Sequence, residues 1–152
     1  MQKISPFLWF DHQAEEAANY YVGVFKNSKI KTTTRYDAAS AKASGQAEGT
    51  VLTVNFELEG TDFTALNGGP IFKFTEAISF VVTCEDQQEI DYYWSKLSAG
   101  PQAEQCGWCK DKFGVSWQIV PKDLDKLISN AAGMKAMLSM KKLVIADLQN
   151  AK

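Results

Sequence analysis

The sequence predicts an α+β fold in which two β-α-β-β-β modules form one cupped mixed sheet, followed by C-terminal helices. Aligning Tyr20-Tyr21 with Tyr92-Tyr93 places two strand-plus-helix segments in step, and aligning Gly60 with Gly114 does the same for two hairpins. An internal repeat of this kind indicates two copies of one structural unit. We expect a single domain over residues 1–152, with modules at about 3–67 and 76–121 and helices at about 123–148.

The first module begins with an apolar, aromatic-rich segment, Ile4–Phe10, which is typical of a buried strand. Asp11 is a candidate N-cap for an amphipathic helix that runs to about Phe25. The threonine-rich segment Lys29–Tyr36 suits an edge strand. Strands are also expected at Thr50–Leu58 and Asp62–Asn67.

Between these strands, Ala38–Gly49 consists of small and polar residues with nothing to bury. The composition predicts a mobile loop, which is either a lid or a plain surface excursion. A second irregular segment, from Gly68 to about Thr75, is the candidate linker between the modules.

The second module repeats the pattern from a buried strand at Ala77–Thr83. Asp86 and Glu89 form a variant capping box, and the helix that follows has one apolar face made of Ile90, Tyr93, Trp94 and Leu97. The closing hairpin is expected as Gln105–Lys110, a turn over Asp111–Gly114, and Val115–Val120. Pro121 cannot donate to a strand and should end the pairing. The first strand of the triplet has the weakest pattern in this module.

After the hairpin, Asp123 is a candidate cap for a short helix. Gly133 should separate that helix from a second helical stretch, Met134–Leu148. That stretch carries more apolar side chains than one helix face can bury. They pack either on the protein's own sheet or against a second subunit. We expect a homodimer.

The composition narrows the function. Sixteen Lys and Arg residues against 18 Asp and Glu give a net charge of -2, so the basic surface typical of nucleic-acid binding is not expected. No apolar run approaches the roughly 20 residues that span a membrane, and the N-terminal segment does not resemble a signal peptide. Three irregularly spaced cysteines are typical of a reducing cytoplasm.

Strand alternation identifies a candidate ligand face. Pro6, Leu8 and Phe10 with Ile78, Phe80 and Val82 should lie beneath the helices. The opposite face is mixed, with aromatic, small and hydrogen-bonding side chains, as a ligand cavity requires. The ligand-binding residues expected there are Phe7, Trp9, Thr64, Ser79 and Gln118, with Asn67 at the rim.

Five segments occur in order along the chain: PFLWFD with AEEAANYY, then FTALNGGP, AISFVV, YYWSKL and CGWCKDKFGVSWQIVP. Over residues 3–147 this pattern resembles the PhnB-like proteins, also labelled 3-demethylubiquinone-9 3-methyltransferase-like. They are a branch of the glyoxalase/bleomycin-resistance, or vicinal oxygen chelate, superfamily. The resemblance implies a glyoxalase/dihydroxybiphenyl dioxygenase-like fold. Methyl transfer is not expected, because the chain lacks a glycine-rich strand-to-helix turn with a following acidic residue.

The superfamily's metal enzymes hold a divalent ion with His, Gln or Glu at positions that align with Ser5, Thr64, Ala77 and Gln118. Alanine cannot bind a metal, hydroxyls are poor ligands for such ions, and Gln118 is neutral where the family usually has Glu. We expect no fixed metal and no cofactor. Many PhnB-like chains have His after the GGP turn; this chain has Ile71.

Other reactive residues have structural interpretations. Cys106 and Cys109, placed on a strand, would point to opposite faces and could not share an ion or form a disulfide. His12, the one histidine, sits at a helix start. Asp62 and Asp111 lie at hairpin turns, where Asp is common. Alternation puts Trp117 on the helix face, and the facing of Trp108 stays open because Gly107 can mark a bulge.

The leading hypothesis is a cytoplasmic, homodimeric protein that binds a small organic molecule in the sheet cup without a fixed metal. Two alternatives stay open: a metal-dependent lyase, isomerase or dioxygenase of the same superfamily, and a resistance-type protein that sequesters a drug. The sequence identifies no catalytic residue, and whether the chain is an enzyme is not decided.

Overall fold

A computed structural model describes residues 2–152. The chain divides into two compact units, one up to Lys73 and the other from Phe74 to Lys152. The strands form two separate sheets, one of four strands and one of three, and each sheet lies within a single unit.

The first unit contains a four-stranded mixed sheet and two helices. Its strands have the order β1-β4-β3-β2, with β1 parallel to β4 and the other pairs antiparallel. The elements are β1 (Phe7–Phe10), α1 (Ala14–Val24), β2 (Lys29–Arg35), α2 (Ala38–Ser44), β3 (Val51–Leu58) and β4 (Thr61–Asn67). The first strand is shorter than predicted, because Ile4 lies before it and is exposed.

The core of this unit lies between α1 and one face of the sheet. Leu8 and Phe10 are buried there, as the alternation predicts. The ring of Tyr21 on α1 stacks over Phe56 with centroids 6.2 Å apart, and Phe56 stacks on Phe63 at 5.4 Å. Buried aromatic contacts of this kind contribute beyond the area they remove from water.

Helix α1 does not begin as predicted. Its N-cap position is Gln13 rather than Asp11, and no side chain of that local segment caps it. Instead, the backbone N–H of Ala14 donates to Oδ1 of Asn67, at the end of β4, over 2.8 Å. A distant amide therefore satisfies a helix N–H that local sequence leaves open.

The segment predicted as a mobile loop, Ala38–Gly49, contains helix α2, so that prediction is wrong. Asp37 and Ser40 form a reciprocal capping box: Asp37 Oδ1 accepts from the N–H of Ser40, and Ser40 Oγ accepts from the N–H of Asp37. Gly45 ends the helix in the left-handed conformation at φ 75°, and Ala41 is buried. Capping at both ends, alanine's high helix propensity and the burial of Ala41 together stabilise a helix with almost no apolar face.

The second unit has a three-stranded sheet in the order β5-β7-β6, with β5 parallel and β6 antiparallel to β7. Its elements are β5 (Ser79–Cys84), α3 (Gln87–Leu97), β6 (Trp108–Lys110), β7 (Ser116–Pro121), α4 (Leu124–Leu127), α5 (Ala131–Leu138) and α6 (Ile145–Gln149). The N–H of Glu89 donates to Asp86 Oδ1 over 2.9 Å, which confirms Asp86 as the N-cap of α3.

The predicted β-α-β-β-β order is incomplete in this unit. A short 3-10 turn, Pro101–Ala103, follows α3, and the three described strands of the sheet are β5, β6 and β7. Of the residues predicted as a strand at Gln105–Lys110, only the last three form one, which is β6. Cys106 and Gly107 both have positive φ, at 51° and 85°, which extended strands exclude. Cys106 therefore lies in a turn, and the strand argument about the two cysteines does not apply to it.

Gly133 does not interrupt the C-terminal helices as predicted; it lies inside α5. A Cβ at this position would come within 2.0 Å of the carbonyl oxygen of Leu127, so the close passage of the α4 backbone requires glycine. The single helix predicted over Met134–Leu148 is in fact α5 and α6 with a break between them. Leu143 and Leu148 are buried in one cluster with Val120.

The predicted fold class is confirmed as mixed α+β with C-terminal helices, in the form of two small mixed sheets. Among residues 2–152, no helix is long and apolar enough to cross a membrane.

Candidate functional site: a cavity in the second unit

Strand β7 separates two environments. Trp117 and Ile119 are buried on the side that packs against α3, whereas Ser116, Gln118 and Val120 alternate with them and face the other way. The neighbouring strands extend this second face, which we call the open face. Ser116 lies opposite Ser79 and Lys110, and Gln118 lies opposite Val81 and Trp108.

A cavity of about 550 Å³ lies on the open face. The helices α4 and α5 supply apolar side chains to its wall, and the sheet supplies its aromatic and polar groups. The sheet contributes Trp108, Lys110, Ser116, Gln118 and Val120, and Glu76 precedes β5. The helices α4 and α5 contribute Leu124, Met137 and Leu138, and Ile128 directly follows α4. Cavities of this size and composition hold small organic molecules.

The polar groups of the cavity are only partly satisfied. Gln118 Nε2 donates to Ser79 Oγ over 3.0 Å, which leaves the amide oxygen of Gln118 without a hydrogen bond to any described residue. Ser116 is only 2% exposed, and its hydroxyl is a buried polar atom with no partner in residues 2–152. An unpaired buried hydroxyl costs about 1–3 kcal/mol, so a ligand group that bonds to it would recover that energy.

One ion pair borders the cavity. Lys110 Nζ contacts Glu76 Oε1 in a salt bridge, and these are the two charged residues of the lining. The hydrogen bond from Lys110 is the main cause that lowers the pKa of the Glu76 carboxyl below its usual value, so this carboxyl is ionised at neutral pH. The lining as a whole is therefore electrically neutral.

The turn at Asp111 holds the hairpin that carries these groups. Asp111 Oδ1 accepts from the N–H groups of Phe113 and Val115, and Oδ2 accepts from Trp117 Nε1 over 2.9 Å. This buried carboxylate fixes the turn and the Trp117 ring together, in agreement with the structural interpretation of Asp111.

The cysteines near the hairpin differ in character. Cys109 is buried on β6, and burial raises its pKa to about 12; burial likewise raises the pKa of Cys84 to about 12. Cys106 is half-buried, and Gln105 Nε2 donates to its Sγ. All three thiols are free.

The first unit has the corresponding face, formed by Phe7, Trp9 and Thr64 with Asn55 on β3. Thr64 Oγ1 donates to Asn55 Oδ1 over 2.7 Å, and Phe7 is exposed. Trp9 Nε1 donates to the carbonyl of Gly69, and the indole lies so close over Gly68 that a Cβ there would fall 2.4 Å from its ring. This contact gives the Gly-Gly pair a packing function.

Asn67 stands apart from that face. It is buried, its Oδ1 accepts from Ala14, and its Nδ2 donates to the carbonyl of Val51 over 3.1 Å. The side-chain amide is therefore engaged within the first unit.

The four positions aligned with the superfamily's metal ligands carry no carboxylate and no imidazole. Ser5 is exposed, the hydroxyl of Thr64 bonds to Asn55, Ala77 has no ligand atom, and the amide of Gln118 bonds to Ser79. Over residues 2–152 no three His, Cys, Asp or Glu side chains gather in a metal-binding group. This donor set does not fit a divalent ion.

Sequence reasoning left the facing of Trp108 open, and it missed Ser116 and the cavity residues of α4 and α5. The face on which Trp108 lies depends on the register of the hairpin, and the register depends on the length of its loop. Because the loop contains an odd number of residues, Trp108 pairs with Gln118 and points to the same face of the sheet. The N–H of Asp111 donates to Val115, so three residues form the tip of the loop. The Asp111-to-Gly114 spacing was the available signal for such a loop.

The chain is similar to proteins of one described family. A family model described as 3-demethylubiquinone-9 3-methyltransferase matches residues 2–120. A putative 3-demethylubiquinone-9 3-methyltransferase, PhnB protein, from Bacillus cereus is 38% identical, with a TM-score of 0.65 over 79% of this chain and 99% of that chain. A comparison with curated proteins finds no significant match.

Two other solved structures are similar. A protein from Staphylococcus aureus is 30% identical over 78% of this chain and 95% of that chain, with a TM-score of 0.36. A protein from Pseudomonas aeruginosa is 14% identical over 80% of this chain and 98% of that chain. Its TM-score of 0.57 shows likeness of fold alone.

The two mixed sheets, each with its first strand parallel to its last, together with the family match and the Bacillus cereus structure, define a protein of the vicinal oxygen chelate type. Within that class, the chain belongs to the PhnB-like family described as 3-demethylubiquinone-9 3-methyltransferase.

Proposed function

We propose that this protein binds a small, uncharged and largely apolar organic molecule in the cavity of the second unit, without a fixed metal. The observation that carries the proposal is the cavity itself, whose apolar walls surround an unpaired, buried Ser116 hydroxyl. A ligand with a hydrogen-bond acceptor, such as a carbonyl, would complete that hydroxyl's bonding.

The remaining polar groups favour the same kind of ligand. The free amide oxygen of Gln118 accepts a hydrogen bond from a donor group of the ligand. Ser79 holds the Gln118 side chain in place. The indole of Trp108 and the side chains of Val120 and Met137 supply apolar area. The proposal extends to the corresponding face of the first unit, where Phe7 and Trp9 offer apolar surface and Thr64 a hydroxyl.

A metal-dependent enzyme of the superfamily is the competing function. The aligned donor set argues against it, because its one amide ligand, Gln118, brings no negative charge to offset a divalent ion. Methyl transfer, as in the family's printed name, is also not supported. The turns before α1 and α3 contain no glycine, and nucleotide-like cofactors bind at glycine-rich turns.

The test is titration with prodan, a neutral naphthyl ketone whose fluorescence reports an apolar environment. We expect saturable binding that includes one site per chain in the cavity of the second unit. Ser116→Ala and Gln118→Ala should each weaken it by about 3- to 10-fold, the value of one hydrogen bond. Trp9→Ala tests the first-unit face, and Asn19→Ala, an exposed change on α1, is the control.

Unchanged prodan affinity in both Ser116→Ala and Gln118→Ala would contradict the proposed site. Metal analysis of protein purified without chelator tests the competing function. Near-stoichiometric metal that is lost in Gln118→Ala would favour the metal enzyme instead. Binding restricted to a dimer, with both subunits needed, would favour the drug-sequestering alternative.

We further propose a homodimer located in the cytoplasm. Met134 and Leu138 lie one turn apart on α5 and are 38% and 56% exposed, so the apolar excess of this helix is not buried within the chain. The free thiols, two of them buried, suit a reducing compartment.

A further inference from the structure

Three groups form a row across the open face of the second unit. Ser116 on β7 lies between Lys110 on β6 and Ser79 on β5, each directly opposite in the strand register. Side chains at opposed positions of neighbouring strands point to the same face, so an ammonium group and two hydroxyls stand side by side. The central hydroxyl is the one that is buried without a partner.

A row of this kind would by itself bind an anion. A carboxylate accepts hydrogen bonds from an ammonium and from hydroxyls, and such charge-assisted bonds are about twice as strong as neutral ones. With Lys110 unpaired, the cavity would therefore prefer a carboxylate-bearing ligand to a neutral one of the same shape.

Glu76 changes that preference. Its carboxylate contacts Lys110 Nζ, and both residues belong to the cavity lining. The ligand's carboxylate would have to compete with Glu76 for the ammonium and would be repelled by it. The ion pair is partly exposed, with side chains 32% and 63% accessible, so its loss should not prevent folding.

We propose that Glu76 is a specificity-determining residue that makes the cavity select uncharged ligands by occupying the one lysine able to bind an anion. This inference rests on the proposed function, since it assumes that a ligand enters the cavity. On this inference, the Glu76–Lys110 pair determines whether the cavity prefers a neutral carbonyl compound or a carboxylate of the same size.

The experiment compares prodan with the matching naphthoate, in which a carboxylate replaces the ketone. The readout is the ratio of naphthoate affinity to prodan affinity. In the wild type we expect prodan to bind at least about tenfold more tightly. In Glu76→Gln the ratio should shift toward naphthoate by about tenfold, the value of one charge-assisted bond.

Two further variants identify the cause. In the double variant Glu76→Gln with Lys110→Met, the gain in naphthoate affinity should disappear, because the freed ammonium is gone. Glu85→Gln removes the same charge from a Lys122 ion pair outside the lining and should leave the ratio unchanged. An equal gain in Glu85→Gln would show an effect of net charge and would overturn the inference.

The two proposals fail in different ways. If prodan binds the wild type and the ratio stays constant in Glu76→Gln, the inference about Glu76 is wrong while the binding function stands. If neither compound binds the wild type or Glu76→Gln, both are wrong. Circular dichroism of each variant establishes that it is folded.

Discussion

Asn67 joins three parts of the first unit at one buried point. Its Oδ1 accepts from the N–H of Ala14 at the start of α1, and its Nδ2 donates to the carbonyl of Val51 at the start of β3. Its own carbonyl accepts from the hydroxyl of Tyr36 over 2.5 Å. One residue therefore determines where a helix begins, where a hairpin opens and how the segment before α2 is attached.

Asn67→Ala should destabilise the protein by about 2 kcal/mol, because it leaves the buried N–H of Ala14 without an acceptor. Urea unfolding of the variant measures the change. The control is Asn19→Ala, since Asn19 is exposed and bonds only to its own helix, and we expect a change within about 0.5 kcal/mol. Equal unfolding midpoints for the two variants would contradict this assignment.

The sequence could not reveal this role. The predicted strand ended at Asn67, as β4 does, but Asn67 was expected at the rim of the ligand face, and its hydrogen-bond partners lie far away in the chain. Asp11 was a plausible local cap, but helix α1 begins after Gln13 and Asp11 does not cap it. Side chains that act within a few residues, such as Asp86 at α3, were predictable because the whole interaction is local.

At the scale of elements, Gly133 shows how one backbone approach fixes a helix pair. The carbonyl of Leu127 on α4 occupies the space that a side chain at position 133 would need. In most helices the change from glycine to alanine is favourable, because alanine has less backbone entropy to lose. Here the steric contact reverses the sign.

Gly133→Ala should therefore lower the free energy of unfolding, whereas Gly23→Ala should raise it by about 0.5–1 kcal/mol. Gly23 lies in α1, and a Cβ there would meet nothing within 4 Å. The two variants make the same chemical change in two helices, so their unfolding midpoints in urea isolate the contact with Leu127. A stabilised Gly133→Ala protein would disprove the close approach.

Elements with an amphipathic period were predicted well, and α1 and α3 are the examples. Helix α2 was missed because it lacks an apolar face, although its Asp37-to-Ser40 spacing carried a capping signal. The second hairpin was shifted because backbone turns at Cys106 and Gly107, held by the carbonyls of Met140 and Lys141, replace the start of the predicted strand. Those partners lie in the C-terminal segment, which local patterns do not connect to the hairpin.

At the scale of the whole molecule, the exposed apolar side of α5 leads to a prediction about assembly. Met134→Glu places a charge in the surface proposed to be covered by a second copy and should convert dimer to monomer in sedimentation equilibrium. Lys135→Glu, on the same helix, also introduces a glutamate and should leave the dimer intact. A monomeric wild type would refute the proposed assembly.

The sequence predicted the part of the candidate cavity that the sheet forms, but not the part that the helices form. Alternation on β5 and β7 placed Ser79 and Gln118 on one face, and the structure places these two side chains in contact there. The wall supplied by α4 and α5 was not predictable, because it depends on how the C-terminal helices return over the sheet of their own unit.

In both units the first strand is parallel to the last, with Phe7 opposite Thr64 and Ser79 opposite Ser116. During synthesis, β1 therefore has no partner until β4 has left the ribosome, although the β2–β3 pair can already form. A stall of translation before Asn67 would leave β1 exposed with its apolar side chains. Because no strand is shared between the sheets, the first unit can complete its hydrogen-bond ladder while the second is still being made.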